Sequence, residues 1–249
     1  MKITSVNNDL VKETAKLLKS KYRNEVGLFL IEGEKGVKEA LQAGLNIEKI
    51  FVLEGFGDFS GENVIETTEA ILSKISDAKS APKVVAVAHQ INQDMNKLKN
   101  AKRVILLESI KDAGNLGTIL RTAAAFGIDG IVLYGDTVDL YNPKTVRSAV
   151  GNLWKVPVIQ FDNFLKLKEI FTPFERVATL PAGENVIKLK DYIPQEKTLI
   201  MFGSEADGLS EDLKSFATKN LTIEMAEDVE SLNLSVSAAV IMYKIQNFK

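Results

Sequence analysis

Arg121 is a guanidinium on an otherwise small and apolar stretch, LGTILRTAAAF, where such a group needs either solvent or an anionic partner. Ahead of it stands Asn115, within Gly114-Asn115-Leu116-Gly117, a turn whose glycines let a ligand approach the backbone. Two more glycine-rich runs follow apolar segments: Pro181-Ala182-Gly183, and Gly203-Ser204-Glu205-Ala206-Asp207-Gly208, which carries a carboxylate. An acidic stretch, Met225 to Asn233, then places Ser231 and Asn233 just before the apolar run Leu234 to Met242. Each also has an ordinary structural reading. Ser231 suits a helix N-cap, Asn233 suits a bond to neighbouring backbone, Glu205 suits a first-turn carboxylate, and glycines serve tight turns. None of the loops matches GxGxxG or GxxxxGK[ST], so a standard dinucleotide or triphosphate site is unsupported. A nucleotide-like ligand and plain turn chemistry both fit these loops in isolation.

The elements that must position these residues are legible. Val104 to Leu107 reads as a buried strand, Asp112 to Asn115 as a polar turn, the segment through Phe126 to Gly127 as a helix, and Ile131 to Leu133 as a second strand. This β-loop-α-β unit requires a parallel sheet and a right-handed crossover. Asn142-Pro143 starts a helix over Lys144 to Val150. Strands are expected at Val156 to Gln160, Val177 to Leu180, Leu199 to Phe202 and Leu221 to Ile223. Helices are expected at Phe161 to Ile170, Leu209 to Phe216 and Leu232 to Ile245. The alternation favours a parallel sheet covered on both faces. In such a sheet the loops leaving the carboxyl ends of the strands converge on one edge, where ligands sit.

Upstream lies a smaller α/β module. Residues 8 to 20 have helical periodicity, with Lys12, Lys16 and Lys19 on one outward face. Strands are expected at Leu28 to Glu32, Ile50 to Leu53 and Val84 to Ala88, and helices at Gly36 to Ala43 and Thr68 to Lys74. The polar segment from His89 to Ala101 has no sustained apolar pattern and reads as a linker. The expected organisation is residues 1–90, a linker at 91–101, and a second domain at 102–249.

Bulk properties narrow the function. The chain has 249 residues, 45% hydrophobic and 26% charged, with a formal net charge of −2, which is the composition of an ordinary globular protein. It has no cysteine, so neither a disulfide scaffold nor a thiolate nucleophile is available. A single histidine rules out a metal centre built mainly from imidazole and cysteine, and no metal is expected. No apolar run approaches transmembrane length and no secretory core precedes the first helix, so the cytoplasm is the expected compartment and no membrane partner is expected. The net charge argues against a whole-surface nucleic-acid binder. Locally, however, Lys12, Lys16, Lys19, Lys21 and Arg23 make a basic surface.

Three segments together resemble the SpoU class of SPOUT RNA methyltransferases. They are Asn115-Leu116-Gly117 with Arg121 through Gly127, Leu199 through Ser210, and Ile223-Glu224-Met225 through Ser231-Leu232-Asn233-Leu234-Ser235-Val236-Ser237. The stretch Ser20 to Leu41, including Tyr22-Arg23 and Gly27 through Gly33, resembles the family's substrate-binding module, which is similar in fold to a small ribosomal protein that binds kinked RNA. The departures are Ala113, where a proline is common, Ala206, where glycine is common, and Ala81-Pro82-Lys83-Val84, which lacks a glycine often seen there.

The resemblance implies a C-terminal parallel-sheet domain with a deep trefoil knot near residues 178 to 233, preceded by the ribosomal-protein-like RNA-binding domain. It implies S-adenosylmethionine as cofactor, held by Thr179, Leu180, Gly183, Met201, Gly203, Ile223, Met225, Ser231 and Leu232. It implies methyl transfer to a ribose 2′-hydroxyl with Asn115, Arg121, Glu205, Ser231 and Asn233 at the reacting centre. Arg121 matches the catalytic arginine, acting as a charge stabiliser or with a phosphate that assists proton removal. A homodimer through the C-terminal domain is implied as well. The substrate is expected to be a structured RNA, ribosomal in preference to transfer RNA, contacted by Lys12, Lys16, Lys19, Lys21 and Arg23. Alternatives are a transfer RNA methyltransferase, and a non-catalytic RNA-binding or ribosome-assembly protein of the same fold. An ordinary doubly wound metabolic enzyme is the weakest, since the nucleotide fingerprints are missing.

Overall fold

The computed structural model describes all residues except 93, 99, 227, 230 and 247–249. The acidic Glu227 and Glu230 of the stretch before the last helix therefore lie outside the described residues. The chain forms two compact units, Met1–Asn92 with Asp139–Trp154, and Gln93–Val138 with Lys155–Lys249.

The first unit holds strands β1 (Lys2–Ile3), β2 (Leu28–Glu32), β3 (Ile47–Leu53), β4 (Val64–Thr67) and β5 (Val84–His89) in the order β1-β4-β3-β5-β2. β1, β4 and β3 run parallel, and β5 is antiparallel to both β3 and β2. Helices α1 (Asp9–Lys16), α2 (Ser20–Val26), α3 (Glu34–Gln42) and α4 (Glu69–Lys74) complete its N-terminal portion. The expected helix over residues 8 to 20 is broken in two. Leu17 and Leu18 donate to Thr14 and Ala15, three residues back, which tightens α1 to a close before α2 begins. Val11, Leu17, Leu30, Phe51, Ile65, Ile71, Leu72 and Val85 make the core.

One further helix belongs to this unit. α6 (Pro143–Ala149) begins at Asn142, whose side chain accepts from the Lys144 N–H, with Pro143 in the first turn where a missing N–H costs nothing. Its buried residues Val146 and Ala149 lie on a helix that packs against β2. The sequence order expects α6 in the domain over 102–249; its contacts group it with the first unit, packed on β2. The segment expected as a linker holds local structure. Met95–Leu98 forms a 3₁₀ turn, and Leu98 and Ala101 are buried in the core of the second unit.

The second unit is a seven-stranded sheet in the order β10-β12-β9-β11-β6-β7-β8, every pair parallel. The strands are β6 (Arg103–Glu108), β7 (Gly130–Tyr134), β8 (Val158–Phe161), β9 (Glu175–Thr179), β10 (Ile187–Lys188), β11 (Thr198–Phe202) and β12 (Lys219–Thr222). Its helices are α5 (Ala113–Ala125), α7 (Phe164–Phe171), α8 (Glu211–Phe216) and α9 (Leu234–Gln246). β6, β7 and β11 are central and almost wholly buried, which is why they read as continuous apolar runs. α5 packs against α9. Among the described residues no helix is long and apolar enough to cross a membrane.

Candidate active site

Three strands of the second unit, β9, β11 and β12, end side by side, and the segments leaving them line a cavity of about 370 Å³. That volume falls within the range of small-molecule sites, and the carboxyl ends of parallel strands are where such sites form. Thr179, Leu180 and Pro181 come from the end of β9; Phe202, Gly203, Ser204, Glu205 and Gly208 from the end of β11. Thr222, Ile223 and Met225 follow β12, and Ser231, Leu232 and Asn233 lead into α9.

The β11 loop is closed on itself. Ser204 and Gly208 exchange two backbone hydrogen bonds, at 3.1 and 3.0 Å, and the Asp207 N–H donates to the Ser204 hydroxyl at 3.0 Å. A side chain at position 203 would stand 1.9 Å from the Gly208 carbonyl carbon, so only glycine lets the loop fold back so closely. Gly208 itself has φ +68°. Ala206 is not among the positive-φ residues, so the alanine at this position carries no backbone strain. Beyond the loop, the Ser210 N–H donates to the buried Glu108 carboxylate at 2.7 Å, fixing the exit of the loop to the end of β6.

Polar side chains from three separate segments meet at Glu205. Asn115 Nδ2 donates to Glu205 Oε1 at 2.7 Å, and Asn233 Nδ2 donates to Asn115 Oδ1 at 3.1 Å. Asn233 Oδ1 accepts from the Ser235 N–H at 2.9 Å and from the Ser235 hydroxyl at 2.6 Å. Asn233 is thus both the cap of α9 and a link in the network. Asn115 is set by its own helix: Asp112 is the N-cap of α5, and its carboxylate accepts from the Asn115 N–H at 2.8 Å. The segment expected as a polar turn from Asp112 to Asn115 is therefore the first helical turn. At the other wall, Thr179 Oγ1 donates to the Met201 carbonyl at 2.9 Å.

The first unit matches the MRM3-like substrate binding domain over residues 8–86. The model of the SpoU rRNA Methylase family matches residues 102–243, more than half of the chain. The chain belongs to the SpoU rRNA methylase family. It is 31% identical, over 98% of both chains, to the 23S rRNA (guanosine(2553)-2′-O)-methyltransferase RlmP of Bacillus subtilis. It is 27% identical to the 23S rRNA (uridine(2479)-2′-O)-methyltransferase of Streptomyces viridochromogenes, over 98% of this chain and 91% of that one. A crystal structure of an AdoMet-bound rRNA methyltransferase from Sinorhizobium meliloti superposes with a TM-score of 0.87 at 26% identity, covering 98% of this chain and 96% of that one.

Within this SpoU methylase the expected site residues divide into three groups. Thr179, Leu180, Gly203, Glu205, Ile223, Met225, Ser231, Leu232 and Asn233 line the cavity, and Asn115 reaches it through Glu205 and Asn233. Met201 and Gly183 do not line it. The Met201 side chain is fully buried in the sheet core and offers only its carbonyl, while Gly183 lies beyond Pro181, the residue that takes its place. Arg121 is exposed on α5, does not line the cavity, and makes no ion pair among the described residues. Helix geometry explains this: six residues turn the side chain about 120° away from Asn115 and carry it roughly 9 Å along the axis. Within one chain Arg121 therefore stands apart from the cavity that Asn115 reaches through Glu205.

The expected RNA contacts fare differently again. Arg23 is 1% exposed. Its guanidinium donates to the Asp139 carboxylate through Nε and Nη2 and to the Leu17 carbonyl at 2.8 Å, all within the first unit, so it cannot meet a phosphate. Lys12 and Lys16 are exposed but paired with Asp9 and Glu13. The Glu13 pairing raises the Lys16 ammonium above its usual range. Lys19 and Lys21 are exposed and have no ion pair among the described residues. Pro181, Phe202, Ser204 and Gly208, within the loops that the resemblance implies for the cofactor, line it as well; Leu221, Thr222, Leu234, Ser237 and Ile241 were not anticipated. The signal for these is position alone, at the end of β12 or on the inner side of α9. Among the described residues no cluster of acidic, histidine or cysteine side chains could hold a metal ion.

Proposed function

We propose that this chain transfers a methyl group from S-adenosylmethionine to a ribose 2′-hydroxyl of ribosomal RNA, acting as a homodimer in the cytoplasm. The observation that carries the reading is the Glu205 carboxylate, bonded by Asn115, which Asn233 bonds in turn, on the rim of a glycine-bounded cavity at the ends of three parallel strands. The relatives named for rRNA 2′-O-methylation and the AdoMet-bound structure support the choice of substrate and cofactor.

The cavity fits such a cofactor. Leu180, Ile223, Met225 and Leu232 offer apolar walls to an adenine, and the hydroxyls of Thr179, Ser204 and Ser231 stand among them. The Gly203–Gly208 closure leaves backbone bare at the rim, where a ligand can approach closely. S-adenosylmethionine supplies an electrophilic methyl on a sulfonium sulfur. The chain's own part is alignment and charge. Glu205, held by the Asn115 amide that Asn233 in turn holds, orders the rim loop, and Ser231 and Asn233 position what lies beside it. The Arg121 guanidinium stabilises negative charge growing on the ribose 2′-oxygen as the hydroxyl proton passes to an RNA phosphate. The trefoil knot implied by the resemblance belongs to this proposal.

A dimer supplies what one chain lacks. α9 exposes Val236, Val240 and Tyr243 at 47%, 39% and 61%, spaced along one side of the helix. α5, packed beside it, exposes Thr118, Arg121 and Ala125 at helical spacing. A second copy seated on this face covers the apolar stripe and brings its Arg121 to a cavity that has none of its own. Mapping ribose methylation by mass spectrometry in ribosomal RNA from cells with and without the gene tests the reading. One 2′-O-methyl site lost with the gene supports it, and an unchanged map sinks it.

A further inference from the structure

The buried Arg23 and the paired Lys12 and Lys16 leave the RNA-contacting surface of the first unit unassigned, and its opposite resource is aromatic. Residues 54–63 join the parallel strands β3 and β4 and contain Gly55-Phe56-Gly57-Asp58-Phe59-Ser60-Gly61. Gly55 and Gly61, with φ +77° and +136°, bracket two phenylalanines in a loop that L side chains could not follow at those positions. Phe56 and Phe59 are partly exposed and lie outside the core cluster of the unit. Their ring centroids are 6.4 Å apart with planes tilted by 31°.

An ammonium stands over each ring: Lys83 Nζ is 5.2 Å from the Phe56 centroid and Lys38 Nζ is 5.9 Å from the Phe59 centroid. Lys83 is exposed and Phe56 half-buried, so the pair sits at the surface of the unit. The two lysines differ. Lys38 is held by Glu34 at 2.6 Å and by Asp58 at 2.8 Å, so it stays where it is. Lys83 makes no ion pair among the described residues and so lacks the carboxylate tethers that hold Lys38. It reaches the loop because the Leu53 N–H bonds its carbonyl at 2.8 Å, which pins the start of β5 beside the end of β3. Three of the carboxylates nearby are already paired: Glu34 and Asp58 by Lys38, and Glu54 by Lys2.

We propose that Phe56, buttressed by Phe59 and served by Lys83, is a stacking platform for an unpaired nucleobase of the RNA substrate. A base laid on the open face of Phe56 displaces the Lys83 ammonium, which swings to a flanking phosphate. Aromatic floors with adjacent cations take single-stranded RNA in this way, tolerant of sequence because every base has a π face. The proposal rests on the RNA methyltransferase reading and adds to it the form of RNA the first unit holds: an unstacked loop or bulge, not a continuous duplex.

The test uses the full chain, with Phe56→Ala, Phe56→Leu, Phe56→Trp and Lys83→Ala. Ribosomal RNA from cells lacking the gene serves as methyl acceptor. A fluorescein-labelled RNA hairpin and a blunt duplex of equal length serve as binding probes. Phe56→Leu keeps the apolar bulk but not the π face, so it should raise the KM for ribosomal RNA about tenfold, as Phe56→Ala does, with kcat and the KM for S-adenosylmethionine unchanged. Hairpin binding should weaken by a similar factor, duplex binding should not, and Phe56→Trp should retain both. Lys83→Ala should weaken the binding of both probes and flatten its salt dependence. Wild-type behaviour of Phe56→Leu, or equal loss on hairpin and duplex, would overturn the platform. Absence of methyl transfer by the wild type would instead strike the methyltransferase reading, and the hairpin-to-duplex comparison would still decide the platform.

Discussion

The Asn115 amide donates to Glu205 at 2.7 Å and so ties the first turn of α5 to the loop after β11, two segments ninety residues apart in sequence. The same amide accepts from Asn233 at 3.1 Å, which brings in the start of α9. One side chain therefore sets the relative placement of three segments around the cavity rim. Replacing Asn115 with alanine removes the donor from Glu205 and the acceptor from Asn233 together. A hydrogen bond to a charged group contributes about 1.5–3 kcal/mol, and partial exposure of this one favours the low end, so kcat/KM should fall roughly tenfold or more. Steady-state methyl transfer by Asn115→Ala, measured well below the variant's own unfolding midpoint, checks this.

Gly203 should tolerate nothing larger. The Cβ of Gly203→Ala would fall 1.9 Å from the Gly208 carbonyl carbon, so the rim loop must open. Calorimetric titration with S-adenosylmethionine should show binding lost in Gly203→Ala and kept in Ala206→Gly, since position 206 needs no positive φ. Equal affinities for wild type and Gly203→Ala would show that the cofactor does not use this loop.

Arg23 should behave as a structural residue. Removing it leaves Asp139 without its cation and the Leu17 carbonyl without a donor. Breaking a buried pair in this way costs about 3–5 kcal/mol, nearer the lower figure here because Asp139 keeps some contact with water. Urea denaturation of Arg23→Ala should show that loss, while RNA affinity measured well below its midpoint should stay at the wild-type value. The opposite pattern would restore Arg23 as an RNA contact.

Much of this arrangement was legible in the sequence, for identifiable reasons. The central strands β5, β6, β7 and β11 announce themselves as unbroken apolar runs because both faces are covered. Asn142-Pro143 marks the start of α6 by cap chemistry alone. Two-residue strands such as β1 and β10 carry too little pattern to be seen. α2 escapes the sequence reading because its seven residues, closed by the left-handed Gly27, carry too short an apolar pattern to stand out. The assignment of α6 to the first unit depends on which surface covers Val146 and Ala149, and periodicity shows that a face is apolar without showing its partner. For the site, residues at strand ends were found because loop position is readable. Arg23 was misjudged because charge in a basic segment suggests a surface, whereas Asp139, far along the chain, takes it inside.

The exposed stripe on α9 leads to a prediction about assembly. Val240→Glu puts a charge in the middle of Val236, Val240 and Tyr243. Sedimentation velocity should show a dimer for the wild type and a monomer for Val240→Glu, and the monomer should bind S-adenosylmethionine yet transfer no methyl group. A fully active monomer would remove the need for Arg121 from a second copy.

The most direct measurement supplies tritiated S-adenosylmethionine and ribosomal RNA from cells lacking the gene, then digests the RNA to nucleosides. The account predicts that wild-type protein places the label on a single 2′-O-methyl nucleoside, and that Arg121→Ala, folded and still binding the methyl donor, places none. Label found on a base with the ribose unmodified, or full transfer by Arg121→Ala, would contradict it.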